Sequence, residues 1–438
     1  MALTDFTIVR RSITGRLFSS VVTIATVAVA VALMLVLISM RHAGRAAFER
    51  GSGNMHLIVS RDPSPLVAVL NGIFYANPPQ RPIAWREYLA IIDRFPLEFA
   101  VPTQQGDSWR GYPVLATNTD FFTQFRPDPV TPWKCSSGRW FNKELEVVIG
   151  AAAARETGVR LGEKLVLTHG VSLSESAREA MLAAGQPVME PHVHTEYQFE
   201  VVGILEPTGS AHDRALFISL ESTWILHAHD RRVAENPSAT LCTNADITEE
   251  DRKITGIYLR LPTRAGSDTP ANLPVVFDQL RRDTSITVAS PSKQIEQLFR
   301  IVSNIDQVFL GLAAVVLLSS GVGIMLALYN SMAQRRRQIA VLRVLGASRS
   351  RVLGLILTES AVLGLLGAIT GVAVAFVGNQ AVAAIMKARL GLLIQPTPPP
   401  EFVMPLILAT VVLASLAGVV PGVMAYKTSV VRNLKPIG

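Results

Sequence analysis

The sequence predicts a membrane protein with four transmembrane helices and a large extracytoplasmic α/β domain inserted between the first and second helix. Of its 438 residues, 49% are hydrophobic and only 17% are charged, against about 25% charged residues in an ordinary soluble protein. The apolar excess is concentrated in four long segments, and basic residues gather in the short stretches beside them. The first two observations predict the spans, and the third predicts their orientation.

Four segments are long and apolar enough to cross a bilayer, which takes about 20 residues in a helix. They cover residues 17–40, 308–330, 352–386 and 402–426. The first segment is uncharged, is too long for the apolar part of a signal peptide and precedes no small-residue cleavage site, so we expect a retained anchor. In the third segment we expect Glu359 to face protein or the inner interface, since an isolated charge facing lipid is costly.

The short flanking segments give the orientation, because basic residues there stay preferentially in the cytoplasm. Segments 1–16, 331–351 and 427–438 together hold twelve basic residues and one acidic residue, a net charge of +11. The opposite short loop, 387–401, holds two basic residues and one acidic residue. Both termini are therefore predicted to be cytoplasmic, and residues 41–291 to form the extracytoplasmic domain.

The overall charge of +7 and a pI of about 9.6 could suggest a nucleic-acid partner. Residues 41–307, however, hold 27 basic and 31 acidic residues, a net charge of −4. The positive charge thus lies in the cytoplasmic segments, as the predicted orientation requires, and no nucleic acid is expected as a partner.

Short β-rich runs alternate with amphipathic helices in the extracytoplasmic domain, which predicts an α/β fold with mixed sheets in two subdomains. The predicted strands cover 55–59, 112–116, 146–149, 164–168, 197–205, 215–219, 256–261 and 285–289. The predicted helices cover 85–95, 151–156, 175–184 and 274–282.

Two further segments carry apolar residues. Segment 61–82 is rich in Pro and Gly, and its apolar residues predict either a finger that faces a partner or lipid, or a segment that folds back onto its own domain. In segment 292–307 the apolar positions follow helical spacing into the second span, which predicts a stalk helix.

The cytoplasmic loop 331–351 combines a basic cluster with apolar residues and then Gly346, a residue typical of helix ends. Taken alone, this pattern predicts a short amphipathic helix at the inner membrane surface. It either docks a cytoplasmic partner or is only a positively charged loop.

Residues 334–371, QRRRQIAVLRVLGASRSRVLGLILTESAVLGLLGAITG, closely resemble the permease domain of the FtsX/MacB/LolC-like family, the mechanotransmission class of ABC transporters. The shared pattern is a basic cluster, an apolar helix, Arg, Leu-Gly-Ala and a Gly-rich span. Residues 147–167 resemble the family's MacB-type periplasmic core, and residues 199–220 match its strand, turn, Asp and strand, with Asp213 at the Asp position. Gln338 departs from the pattern, since members usually carry Glu there.

The resemblance implies a permease subunit in the bacterial inner membrane, paired with a second permease copy or a paralogue and carried on cytoplasmic ABC ATPase subunits. ATP-driven closure would move the stalks and outer domains to act on periplasmic or membrane cargo. No G-x-x-x-x-G-K-[ST] loop occurs in this sequence, so ATP and Mg²⁺ are expected on the separate ATPase, and the chain itself is predicted to be no enzyme. The alternatives are an FtsX-like regulator that activates a periplasmic protein, and a transporter linked to a metal or metallophore.

Two sets of residues follow from this interpretation. The predicted ATPase-docking residues are Arg336, Arg337, Ile339, Leu342, Arg343, Leu345 and Gly346. The glycines predicted to allow close helix packing are Gly364, Gly367, Gly371, Gly418 and Gly422.

Five of the eight histidines fall within residues 192–229, and imidazole is a common zinc ligand. The candidate metal ligands are His192, His194, His212, Asp213, His227 and His229. They form either a zinc site or a group of exposed loop histidines. Cys135 and Cys242 share an oxidising compartment and either form a disulfide or remain free.

Overall fold

The computed structural model describes residues 5–77, 79, 81–127, 132–169, 192–267, 269–390 and 397–427. The chain divides into two compact units. Met1–Gly44 and Arg300–Gly438 form the membrane unit, and Arg45–Phe299 form the α/β unit. The helix predicted over 175–184 lies outside the described residues.

Helices and strands of the described residues are numbered in chain order. Helices α1 to α12 cover Asp5–Thr14, Leu17–Ser52, Pro65–Phe74, Trp85–Arg94, Asp120–Thr123, Ala151–Thr157, Leu220–Glu235, Leu273–Arg281, Pro291–Val344, Arg349–Leu390, Pro400–Ala417 and Val419–Tyr426. Strands β1 to β14 cover Leu57–Ser60, Ile83–Ala84, Phe99–Trp109, Tyr112–Thr117, Cys135–Gly138, Glu146–Ile149, Lys164–Leu165, Thr168–His169, His192–Val193, Phe199–Leu205, Leu216–Ser219, Lys253–Ile254, Gly256–Arg260 and Thr287–Ala289.

One mixed sheet of twelve described strands organises the α/β unit, in the order β14-β1-β13-β3-β4-β11-β6-β10-β5 along its main path. Strands β4 and β11 run parallel, as do β6 and β10, whereas β1 is antiparallel to both of its neighbours. The short strands β7 and β8 attach to β10 and β3. The predicted α/β fold is confirmed.

Alternating side chains give the sheet two apolar faces. Val147 and Ile149 of β6 join one buried cluster, while Val148 between them joins the other. The second cluster is dominated by aromatic rings, among them Phe121 and Phe217, whose ring centroids lie 5.3 Å apart. Each face thus has its own core.

The described part of segment 61–82 folds back onto its own unit, and the alternative of a projecting finger is wrong. Ser64 caps α3 by accepting a hydrogen bond from the Val67 N–H at 3.3 Å, and Pro65 occupies the first turn, where its missing N–H costs nothing. The apolar residues Val69 and Ile73 of α3 are fully buried in the aromatic core.

The described residues contain four helices long and apolar enough to cross a membrane, over Leu17–Ser52, Pro291–Met332, Arg349–Ile385 and Pro400–Tyr426. The four predicted spans are confirmed. Residues 334–344, predicted as a separate amphipathic helix, instead continue α9 without a break. Met, Ala, Gln and Arg favour helix, and no Gly or Pro stands between Gly323 and Gly346.

Close packing in the membrane unit depends on glycine. A Cβ atom on Gly367 or Gly371 of α10 would lie 2.6 or 2.7 Å from the Cβ of Val27 or Val31 in α2, too near for any side chain. The other glycines of the predicted set also lie against neighbouring residues: Gly364 against Ala414, Gly418 against Ser360 and Gly422 against Leu353.

Glu359 faces protein. Its side chain is buried in the membrane unit, and the Ser12 hydroxyl of α1 donates a hydrogen bond to its carboxylate. This partner reduces the cost of a carboxylate in an apolar segment.

Candidate functional site

The turn after α9 has a helix-ending geometry that requires glycine. Gly346 has a φ of +96°, a value that side chains disfavour. Its N–H donates to the Arg343 carbonyl at 3.2 Å, and the Ala347 N–H donates to the Leu342 carbonyl at 3.0 Å. These two bonds satisfy carbonyls at the helix end and fix the direction in which the chain leaves.

Three apolar side chains beside this turn are exposed. The exposed fraction is 75% for Leu345, 63% for Val344 and 45% for Val341. We call these three residues the apolar turn. Of the predicted docking residues, Leu345 and Gly346 thus lie at the exposed surface, while Leu342 and Arg343 are half-buried.

Ile339 differs from the docking prediction. It is only 6% exposed and belongs to the apolar cluster of the membrane unit together with Val352 and Ile356, so it stabilises the unit and offers no docking surface. The side chains of Arg336 and Arg337 lie outside the described residues. Val341 and Val344 are exposed as well, but they were not among the predicted docking residues.

The basic residues that follow the turn contact their own chain. Ser348 begins α10 by accepting a hydrogen bond from the Arg351 N–H at 3.2 Å. The Arg351 guanidinium lies 2.7 Å from the Asp5 carboxylate of α1, and that of Arg349 lies over the Tyr426 ring at 5.7 Å. The start of α10 is therefore anchored, while the apolar turn is left exposed.

Within the α/β unit, the end of α2 and the start of α9 attach to the aromatic core. Phe48 of α2 packs against Phe74 of α3 at 4.3 Å and against Phe299 of α9 at 5.6 Å between ring centroids. Gly51 lies so close to Phe74 that a Cβ on it would come within 3.0 Å of the ring. Both helices that lead to spans thus contact one aromatic group.

His212 is part of this attachment and not of a metal site. Its Nε2–H donates to the Gly51 carbonyl at 3.1 Å, and the Tyr75 hydroxyl donates to its Nδ1 at 2.6 Å. Burial lowers the pKa of His212 to about 4, so the ring is neutral. Asp213 accepts from the N–H groups of Thr208 and Gly209, each at 2.8 Å, and orders the turn before β11. The metal-ligand prediction is wrong for both residues.

A second group of histidines lies on the opposite face of the sheet. Ligand atoms of Asp107, His169 and His194 all lie within 4.8 Å of one another. Of these three residues the sequence prediction named only His194. Asp107 and His169 were missed because each stands far from the 192–229 window, and a cross-strand pair between β3 and β8 brings them together.

The remaining predicted histidines border this group. The His227 ring lies 6.1 Å from that of His169, and burial lowers the pKa of His227. His229 Nε2 lies 3.9 Å from the Glu196 carboxylate. His192 pairs with His169 across β9 and β8, and its side chain lies outside the described residues.

Cys135 and Cys242 are both free, so the possible disulfide is not formed. Cys242 belongs to the apolar cluster on one face of the sheet, whereas Cys135 packs against the aromatic cluster on the other. A disulfide needs the two Cα atoms within about 7 Å, and the sheet stands between these cysteines.

Comparison with known families decides the identity of the chain. Residues 20–271, more than half of it, match the MacB-like periplasmic core domain, and residues 310–430 match the FtsX-like permease C-terminal domain. The chain belongs to the ABC transporter permeases of the FtsX/MacB type. The resemblance seen in the sequence is thereby confirmed.

Named relatives of this permease are ABC transporter permeases as well. It is 26% identical over 144 residues to the uncharacterized ABC transporter permease MJ1507 of Methanocaldococcus jannaschii, covering 32% of this chain and 36% of the relative. It is 28% identical over 141 residues to the ABC transporter permease YtrF of Bacillus subtilis, covering 29% of this chain and 32% of YtrF. The matches thus span about a third of these relatives.

Among solved structures, the permease is similar to the extracellular domain of the noncanonic ABC-type transporter YknZ from Gram-positive bacteria. The match has 9% identity and a TM-score of 0.26, and it covers 53% of this chain and 98% of that domain.

Proposed function

We propose that this permease couples ATP hydrolysis by a separate cytoplasmic ABC ATPase to movement of its α/β unit, which drives export, extraction or efflux of periplasmic or membrane cargo. We place it in the inner membrane with both termini and the apolar turn in the cytoplasm, on the strength of its basic flanking segments. The single observation that carries the proposal is the exposed apolar turn at the end of α9.

The apolar turn favours a protein partner for two reasons. Val344 and Leu345 are large apolar side chains at the tip of a rigid helix, where burial against a partner would remove them from water. The Gly346 geometry holds them in place before a partner arrives, which reduces the entropy lost on binding.

The other end of the same helix supports a mechanical role. α9 begins at Pro291 in the α/β unit, and its Phe299 packs on Phe48 and thereby on the aromatic core. A displacement of α9 would therefore act directly on the packed core, since close-packed interiors transmit strain.

Substitution of the apolar turn tests the ATPase coupling. Val344→Asp places a charge on the proposed docking surface, whereas Val275→Asp places the same charge on α8 of the α/β unit, where Val275 is 57% exposed. Full-length chain would be purified from membranes of its own host, and the co-purifying protein identified by mass spectrometry. We expect an ABC ATPase, and ATP hydrolysis in the eluate, with the wild type and Val275→Asp.

With Val344→Asp we expect at least a tenfold loss of both signals, since a desolvated charge in an apolar interface costs several kcal/mol, and about 1.4 kcal/mol already changes binding tenfold. Equal ATPase recovery from the two variants would remove the docking assignment.

A second permease copy is proposed as a partner along α9. Ile301 and Ile305 precede the predicted span and are 58% and 54% exposed. Asp306 next to them lies 3.9 Å from Arg41, an ion pair more typical of a polar boundary than of the bilayer core. Lipid would therefore not cover these isoleucines, and a second α9 would.

Cysteine cross-linking tests this pairing in a variant that lacks Cys135 and Cys242. Ile305→Cys is expected to give a disulfide-linked dimer in membranes under mild oxidation. Gln307→Cys, about 200° away around the helix, is the matched control and should give little. Equal yields at both positions would contradict a specific α9 interface.

A further inference from the structure

Three side chains from separate parts of the chain meet on the face of the sheet opposite the aromatic core. Asp107 lies on β3, His169 lies on β8 directly across from it, and His194 follows β9. The ladder between β3 and β4 shifts register between Gln105 and Ser108, and Gly106 has a φ of +153° within that bulge. Bulges re-aim side chains, and this one accompanies the placement of Asp107 against His169.

The chemistry of the group suits a transition metal ion. One ligand atom from each of Asp107, His169 and His194 lies within 4.8 Å of the other two, a spacing that small side-chain rotations would close around an ion. Two imidazoles and a carboxylate are ligand types that Zn²⁺ accepts, and three protein ligands leave a position for water.

A carboxylate outside the ligand set orients the His194 imidazole, and Asp107 contacts the His169 imidazole directly. Asp107 Oδ1 lies 2.8 Å from His169 Nδ1, and Glu196 Oε1 lies 3.2 Å from His194 Nδ1. Glu196, by accepting from His194 Nδ1–H, leaves His194 Nε2 with a lone pair, the arrangement seen behind metal-bound histidines. Asp107 Oδ1 and His169 Nδ1 would instead both turn to the ion, in place of their hydrogen bond.

The burial and charge of these residues also favour a bound metal ion. Asp107 and His194 are buried, and the ion pairs of Asp107 and Glu196 among the described residues are all with imidazoles. A divalent cation would balance these carboxylates. His169 is half-exposed, which gives the ion a path from solvent.

We propose that Asp107, His169 and His194 form a zinc site in the α/β unit. The ion would join β8 and the residues after β9 to the central strand β3. This proposal is independent of ATPase coupling, because it concerns only ligands within the α/β unit.

Zinc titration of the full-length chain tests the site. The protein, freed of its affinity tag and of metal, would be titrated with zinc alone in detergent against a colorimetric chelator. We expect one zinc ion per chain with a dissociation constant in the micromolar range or tighter, and an X-ray absorption spectrum that shows two imidazole ligands.

The variants are His169→Gln and Asp107→Asn, both close in size to the natural residue, while His194 is avoided because it is fully buried. Each should weaken zinc binding at least about tenfold. His42→Gln, an exposed histidine of the membrane unit, is the control and should bind like the wild type. Unchanged tryptophan fluorescence would show that a variant is folded. Absence of binding at micromolar zinc, or wild-type affinity in both ligand variants, would overturn the proposal.

Discussion

Two histidines on opposite faces of one sheet behave in opposite ways. His212 is buried among aromatic rings and hydrogen-bonded to the uncharged Tyr75 hydroxyl and Gly51 carbonyl, and its pKa falls to about 4. His169 is half-exposed beside the Asp107 carboxylate, and the hydrogen bond to Asp107 raises its pKa. Desolvation lowers the pKa of His212, and a charged partner raises the pKa of His169. The face with His212 anchors helices, while the face with His169 presents polar ligands.

Of the substitutions at these two histidines, replacement of His212 should lower the free energy of unfolding most. His212→Gln removes ring contacts with Phe121, Phe125 and Trp133 and disturbs both hydrogen bonds. We expect a loss of about 3 kcal/mol in the free energy of unfolding near pH 7.5. All five tryptophans lie in the α/β unit, so tryptophan fluorescence of the full chain in denaturant reports on that unit alone.

The same variant also tests how the free energy of unfolding depends on pH. The folded pKa of about 4 lies below the unfolded value of about 6.5, so the stabilisation by neutral His212 is complete above pH 6.5 and is lost as the pH falls toward 4. The wild type should thus lose about 3 kcal/mol over this range that His212→Gln does not lose. Tyr75→Phe, which keeps the histidine, should retain the pH dependence, and a constant difference between wild type and His212→Gln would exclude a buried neutral ring.

The membrane unit was predictable because length and hydropathy alone determine a span. The strands of the α/β unit were found where apolar residues alternate, as in Gly256–Arg260, predicted over 256–261. Strand β3 was not found, since its sequence FAVPTQQGDSW contains a proline and buries polar residues. Gln105, for example, donates to the Gly72 carbonyl at 3.1 Å, and only the folded chain supplies that partner.

The candidate sites were predicted only in part, because they too depend on contacts that only the folded chain supplies. Residue type located the turn at Gly346, but it could not show that Ile339 faces the membrane unit while Val344 faces outward. Likewise the histidine-rich window grouped His212 with His194, although His212 packs against Phe121 of the aromatic core and His194 lies beside His169. Pairing Asp107 with His169 depends on strand register, which is set by contacts distant in sequence.

The smallest predicted effect is the pH dependence of stability that His169 contributes. It runs in the opposite direction to that of His212, because it is lost as the pH rises. Because Asp107 raises the folded pKa of His169 above its unfolded value of about 6.5, the stabilisation is complete below pH 6.5 and is lost as the pH rises through the folded pKa. Exposure to solvent limits it to less than about 1 kcal/mol. Asp107→Asn should therefore differ more from the wild type at pH 6 than at pH 8, measured in denaturant with a chelator present so that no metal contributes. A difference that instead grows toward pH 8 would show that the Asp107 carboxylate stabilises the fold by some contact other than the charged His169.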